Sequence, residues 1–110
     1  LILFFPVIAR IIKRRGIQAI ALWPFIVSSR KILNPITINH EKIHHRQQLE
    51  LLIIGFYVWY GIEYIVRRFK YSKFEAYRKI SFEQEAYEME SDLTYLKKRP
   101  NYRFFKYCYS

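Results

Sequence analysis

His40-Glu41-Lys42-Ile43-His44-His45-Arg46-Gln47-Gln48 is the stretch on which the reading of this chain turns. It contains all 3 histidines of the 110 residues. On a helix, residues four apart share a face, so His40 and His44 can aim both rings at one ion. Glu41 lies one step round, where its carboxylate could take a proton from water held at that ion. His45 is turned by about 100° from His44, which predicts a solvent-facing ring that does not complete the site. Gln47 is expected to hydrogen-bond beside the site.

Upstream, Asn34-Pro35 is a helix-start signal, an N-cap followed by proline at the first helical position. The β-branched run Ile36-Thr37-Ile38 leaves a later cap at Asn39 open. Downstream, His40, His44, Gln47, Leu51, Ile54 and Val58 form one stripe, polar at the motif and apolar beyond it. This predicts a helix that lines a site with its first half and enters the core with its second. Leu49 to Val66 is the most apolar stretch. Glu50 and Glu63 bracket residues 51–62, fewer than the ~20 apolar residues of a membrane span. Leu51–Ile62 is therefore expected to pack against protein, with a kink near Gly55. Glu63 and Arg67 are spaced for a minor surface ion pair.

Farther out, residues 1–14 read as a short amphipathic helix or an apolar strand, weakened by Pro6. Ile17, Ala19, Ala21 and Trp23 alternate, Pro24 interrupts, and Phe25-Ile26-Val27 resume. That pattern predicts two short strands, or one bent at Pro24, at a sheet edge. Ser28 to Leu33 reads as a basic loop and Phe74 to Lys79 as a short helical turn. Ser81 and Gln84 match a capping box opening a helix to about Lys98. Pro100 stops it, and residues 101–110 form an aromatic, basic tail that docks as a last helical turn. The expected fold is one α+β domain over 1–110, predominantly helical: four helices, the motif helix packed on a glutamate-bearing helix, and a small N-terminal edge sheet.

Composition narrows the function. Apolar residues make up 52% and aromatic residues 19%, which excludes a disordered chain. A net charge of +10 predicts attraction to anionic surfaces, with no firm nucleic-acid motif beside it. The single cysteine, Cys108, excludes an internal disulfide and a cysteine-built zinc site. The apolar start, Leu1 to Ala9, precedes its positive charges at Arg10, Lys13, Arg14 and Arg15, the reverse of a secretion signal. A cytoplasmic location, peripheral to a membrane, is the expectation.

A catalytic zinc has three protein ligands and an open position for water. His40 and His44 supply two, so the third must be a carboxylate from a later helix. The Ser81–Asp92 helix, with Glu88, Glu90 and Asp92 as well, is the acid-rich neighbour that can supply it, and its first acids are Glu83 and Glu85. They lie about 200° apart, so only one can face the histidines. Glu83 shares its face with Ala86, Tyr87 and Glu90, where the alanine permits close helix approach. Glu85 shares its face with Glu88, Met89 and Asp92, and is the second choice.

His40, Glu41, His44 and Gln47, followed by Phe82-Glu83-Gln84-Glu85-Ala86-Tyr87, resemble the gluzincin-type zinc metallopeptidases, especially their very small members. They are similar also to small bacterial His-Glu-x-x-His proteins. The resemblance covers roughly residues 17–98. It implies Glu83 as the third zinc ligand, Glu41 as general base, and hydrolysis of a peptide or protein substrate by metal-activated water. Ile17–Val27 would correspond to the strand that binds extended substrate. Tyr87 stands where those families often have an aspartate that orients a zinc histidine, leaving Glu90 or Asn39 for that role. The alternative is a non-catalytic metal-binding protein, or a basic membrane-surface or partner-binding module. Aromatic residues interleaved with Lys and Arg in Arg67–Lys73 and Arg99–Tyr107 motivate it.

Overall fold

The computed structural model describes residues 2–4, 19–29 and 34–108. The readings made for residues 5–18, for most of the basic loop at 30–33 and for the last two residues lie outside these. The fold is α+β and predominantly helical, as the sequence predicts. Strands β1 (Ile2–Phe4), β2 (Ala19–Leu22) and β3 (Phe25–Ser28) form one small sheet in the order β1-β3-β2. β1 runs parallel to β3, and β2 antiparallel to it, with Ala21 opposite Ile26. Trp23-Pro24 make the turn of the β2–β3 hairpin, through a cis peptide bond. Of the two strand readings, two short strands is the observed one. β2 lies at the sheet edge.

The motif helix, α1 (Pro35–Glu50), starts where the cap signal places it. Asn34 accepts a hydrogen bond from the Ile36 amide at 2.8 Å, and Pro35 fills the first turn. Its end differs from expectation. The stripe from His40 to Val58 is not continuous, because the chain breaks at 51–53 and α2 (Ile54–Arg68) leaves at 109° to α1. Leu52 and Ile53 carry the turn in the left-handed region, at φ 57° and 63°. Gly55 is not the hinge; it lies inside α2.

α2 also departs from the fully packed core helix expected for residues 51–62. One side enters the core: Phe56 is buried with Ile80, Phe82 and Phe104, and Leu51, Trp59, Tyr60 and Tyr64 pack around them. The other side, with Ile54, Val58 and Ile62, is exposed. No single helix among the described residues is long and apolar enough to cross a membrane.

α3 (Lys73–Lys79) matches the short helical turn predicted for Phe74 to Lys79, and Ser72 caps it by accepting from the Glu75 amide. α4 (Ser81–Met89) bears the glutamates. It is shorter than predicted: a turn at 90–94 separates it from α5 (Tyr95–Lys98). The chain thus has five helices among the described residues, followed by a 3-10 turn, Arg103–Tyr107, that docks buried Phe104. The predicted Ser81–Gln84 capping box does not form. Ser81 donates its amide and hydroxyl to Glu63, and Gln84 donates to the Lys79 carbonyl. The predicted Glu63–Arg67 pair is present but is largely enclosed and not on the surface. The Glu63 carboxylate serves the start of α4 and lies 3.8 Å from Arg67.

The motif helix does pack on α4, as expected. Ile43 meets Ala86 and Tyr95 in a second small core, and both Ile43 and Ala86 have no exposed surface. A residue with only a methyl side chain at 86 is what lets the two helices close. α1 is also tied to the sheet. Gln48 donates to the Ala21 carbonyl at 2.9 Å and accepts from the Trp23 amide at 2.8 Å. Those ties fix the β2–β3 hairpin beside the last turn of α1.

Candidate metal centre

His40, His44 and Glu83 converge between α1 and α4, all three buried. Glu83 Oε1 lies 3.2 Å from His40 Nε2 and 3.0 Å from His44 Nε2, and the two Nε2 atoms are 3.2 Å apart. A tetrahedral zinc with bonds of ~2.0–2.1 Å has ligand atoms roughly 3.3–3.4 Å apart. The observed triangle is thus nearly one face of such a tetrahedron. Two imidazoles and a carboxylate are also a donor set that zinc takes, so these residues fit the ion.

What surrounds the triangle fixes which atoms face it. Gln47 donates its amide N–H to Glu85 at 3.0 Å and to the Phe82 carbonyl at 3.1 Å. A carboxylate and a carbonyl can only accept, so the Gln47 amide has one orientation. Its oxygen then faces His44 Nδ1 at 2.8 Å and accepts that proton. The Nε2 lone pair of neutral His44 is left pointing into the triangle. His40 is set the same way, its Nδ1 donating to Glu90 at 3.1 Å. Such outer partners fix the ring orientation and tautomer of metal-binding histidines. Of the two residues proposed for the missing aspartate's role, Glu90 touches His40. Asn39 instead donates to the Glu90 and Asp92 carbonyls, at 2.8 and 3.0 Å, and holds the turn that carries Glu90. Tyr87 packs its ring edge-on to His40, with centroids 4.5 Å apart.

The other Glu83 oxygen accepts from the Tyr60 hydroxyl at 2.7 Å. No spacing rule points to Tyr60: it is one of 10 tyrosines and sits on a helix whose direction is set by the unforeseen break at Leu52–Ile53. His45 is half-buried rather than solvent-facing. Its ring donates to the Phe25 carbonyl at 2.8 Å, away from the triangle.

Glu85 meets a different environment. It is 0% exposed against 5% for Glu83, so burial does not separate the two candidates; their partners do. Glu85 takes two hydrogen bonds from Arg99 and one from Tyr95, and Arg99 pairs with Glu50 at 2.9 and 3.0 Å. Arg99 belongs to the buried interior and not to the solvated basic surface.

Charge in the site is set by burial and by the close carboxylate. Burial lowers the His44 pKa, but the Glu83 charge and hydrogen bond outweigh it and raise it to about 9. For Glu83, burial pushes upward. The His44 charge and the bonds from His40, His44 and Tyr60 prevail and hold it well below the usual carboxylate range. Burial raises Glu41, with His44 and His40 opposing. A hydrogen bond from the Ala21 backbone helps to hold the Glu41 carboxylate.

An open cleft of about 790 Å³ lies over these groups. β2 contributes Ala19 and Ile20, α2 contributes Tyr57 and Tyr60, and α3 contributes Phe74 and Tyr77. Compared with protein families, curated proteins and solved structures, the chain matches none of them.

Proposed function

We propose that the chain is a small zinc-dependent hydrolase of the metallopeptidase type, with His40, His44 and Glu83 as metal ligands and Glu41 as general base. The observation that carries this reading is the triangle of three ligand atoms 3.0–3.2 Å apart, both imidazoles turned by outer partners so that Nε2 faces inward. Bound zinc supplies Lewis acidity, which brings the pKa of water to about 7 and polarises a carbonyl.

The chain's own groups supply the rest. Burial raises the Glu41 pKa above its ordinary value, against the two histidines, which makes the carboxylate a stronger proton acceptor. Tyr60 and the two histidines hold Glu83 in place and ionised. The cleft is large enough for several residues of a peptide, in keeping with the usual size of binding pockets. On the open edge of β2, Ala21 is committed to Gln48, Tyr57 and Glu41, so Ala19, two residues before it on the same edge, is the part presented to a substrate backbone.

Elemental analysis of purified wild type beside His44→Ala tests the metal. One zinc per chain in the wild type, lost in the variant, is expected; substoichiometric zinc indifferent to the substitution ends this reading. Glu41→Gln separates hydrolase from metal carrier. The variant should keep zinc and lose hydrolysis of a peptide library, because an amide cannot take the proton. Hydrolysis by Glu41→Gln at the wild-type rate would remove Glu41 from the role of base.

A further inference from the structure

The outward side of α2 is unusual for a chain this size. Ile54, Val58, Ile62, Ile65 and Val66 are each more than half exposed, from 57% at Val58 and Ile62 to 77% at Ile54. Phe69, just past the helix, is 89% exposed. At 3.6 residues per turn these positions fall within an arc of about 120°. No charged residue lies inside that arc; Arg68 borders it. A contiguous apolar surface of this kind marks an interaction site.

The charge distribution says what covers it. Five of the 9 acids face inward: Glu41, Glu83 and Glu85 are buried, and the Glu50 and Glu63 side chains are only 9% and 14% exposed. Arg99 apart, the cations lie mostly outside, and Arg68 and Lys70 are both exposed at the end of the apolar arc. The chain carries +10 overall. Two copies seated face to face would bring like charges together, whereas an anionic bilayer is complementary. α2 is 15 residues long, roughly 22 Å, and suits lying in the headgroup plane rather than crossing it.

We propose that the outward face of α2 is a docking surface for an anionic lipid bilayer. The apolar arc enters the headgroup–acyl boundary, and the basic cluster at its end meets the lipid phosphates. α2 lends Phe56, Tyr57 and Tyr60 to the cleft from its other side, so seating leaves His40, His44 and Glu83 accessible. The inference stands apart from the metal reading, since none of the face residues touches that site.

Flotation of the full chain with vesicles tests it, comparing equimolar phosphatidylglycerol–phosphatidylcholine with phosphatidylcholine alone. The wild type should float with the anionic vesicles and not with the neutral ones. High salt should weaken but not abolish that binding. Val58→Asp and, separately, Ile62→Asp should cut it at least ~tenfold with unchanged melting, because both side chains point to solvent in the free protein. Ile65→Asp replaces either one that melts lower. Absence of flotation at low salt overturns the proposal, as do variants that float like wild type. A concentration-dependent dimer dispersed by Val58→Asp also overturns it, and makes a second copy the occupant.

Discussion

Glu83 and Glu85 stand two residues apart on α4, both buried, and each is held by several hydrogen bonds. Glu83 faces two imidazoles and a tyrosine at the floor of a cleft. Glu85 faces Arg99, Tyr95 and Gln47 in a closed interior, where Arg99 is shared with Glu50. The partners differ in whether they can give up charge. An imidazolium can release its proton to solvent and offer the freed lone pair to a metal, so the Glu83 cluster can exchange a proton for an ion. A guanidinium cannot, so the Glu85 cluster is saturated and permanent. Gln47 joins the two, with its N–H on Glu85 and its oxygen on His44. The fixed cluster thereby orients the exchangeable one.

The largest expected effect of breaking this arrangement falls on stability. Arg99→Leu would leave Glu85 and Glu50 enclosed without their cation, at a cost of ~3–5 kcal/mol. At roughly 4–8 °C per kcal/mol, melting should fall by at least ~12 °C. Glu83→Gln should cost far less, ~1–2 kcal/mol, because His44 can drop its proton and the amide keeps the Tyr60 hydroxyl company. Denaturant unfolding of both metal-free variants compares them directly; equal losses would mean that the two clusters do the same structural work.

Zinc affinity should show the reverse ranking. Glu83→Ala removes a proposed direct ligand and should weaken binding more than ~100-fold, beyond the upper range seen for outer partners. Glu85→Ala, titrated at a temperature where it is folded, should lose less, and only through the slackened Gln47. A larger loss for Glu85→Ala would move the ligand to that residue.

Gln47→Leu sharpens the joint itself. It keeps the side-chain volume, removes the acceptor that holds the His44 Nδ1 proton, and should weaken zinc ~10–100-fold. Gln48→Leu, which loosens α1 from β2 but touches neither histidine, is the control and should leave affinity little changed. Similar losses in the two variants would show that general loosening of α1, and not the orientation of His44, sets affinity.

The site was the more legible half of the molecule. His40, Glu41 and His44 follow from a four-residue helical spacing, and Ala86 marks the face of α4 that can approach them. What the spacing could not reveal is the break between α1 and α2. Leu52 and Ile53 adopt left-handed backbone without glycine, while the nearby Gly55 sits in ordinary helix. A β-branched residue at positive φ is rare enough that no local signal announces it. Everything carried by the α2 direction was hidden with it, including Tyr60 over Glu83 and the exposed arc from Ile54 to Val66. Arg99 was hidden for another reason. Flanked by Lys97, Lys98 and Pro100 it reads as surface charge, and its carboxylate partners come from positions 50 and 85.

Proton exchange gives the smallest effect and the most direct view of the contrast. In the metal-free protein the His44 pKa is raised from 6.5 to about 9 by Glu83, against the downward pull of burial. Its stabilising contribution is therefore complete below pH 6.5 and disappears as pH rises through 9. Glu83 and Glu85 are both lowered from 4.5, so their contributions are present above that value and fail only in acid. Between pH 6 and 9 the Arg99 cluster exchanges no proton, whereas His44 does. Zinc must take the place of the His44 proton, so its affinity should fall about tenfold, ~1.4 kcal/mol, per pH unit below about 9. Competition titrations at pH 8 and pH 7 measure this, together with proton release in weak buffer. Glu83→Gln removes the carboxylate that raises His44, so the slope over the same interval should flatten. A flat wild-type slope between pH 8 and 7 would place the displaced proton elsewhere than on His44.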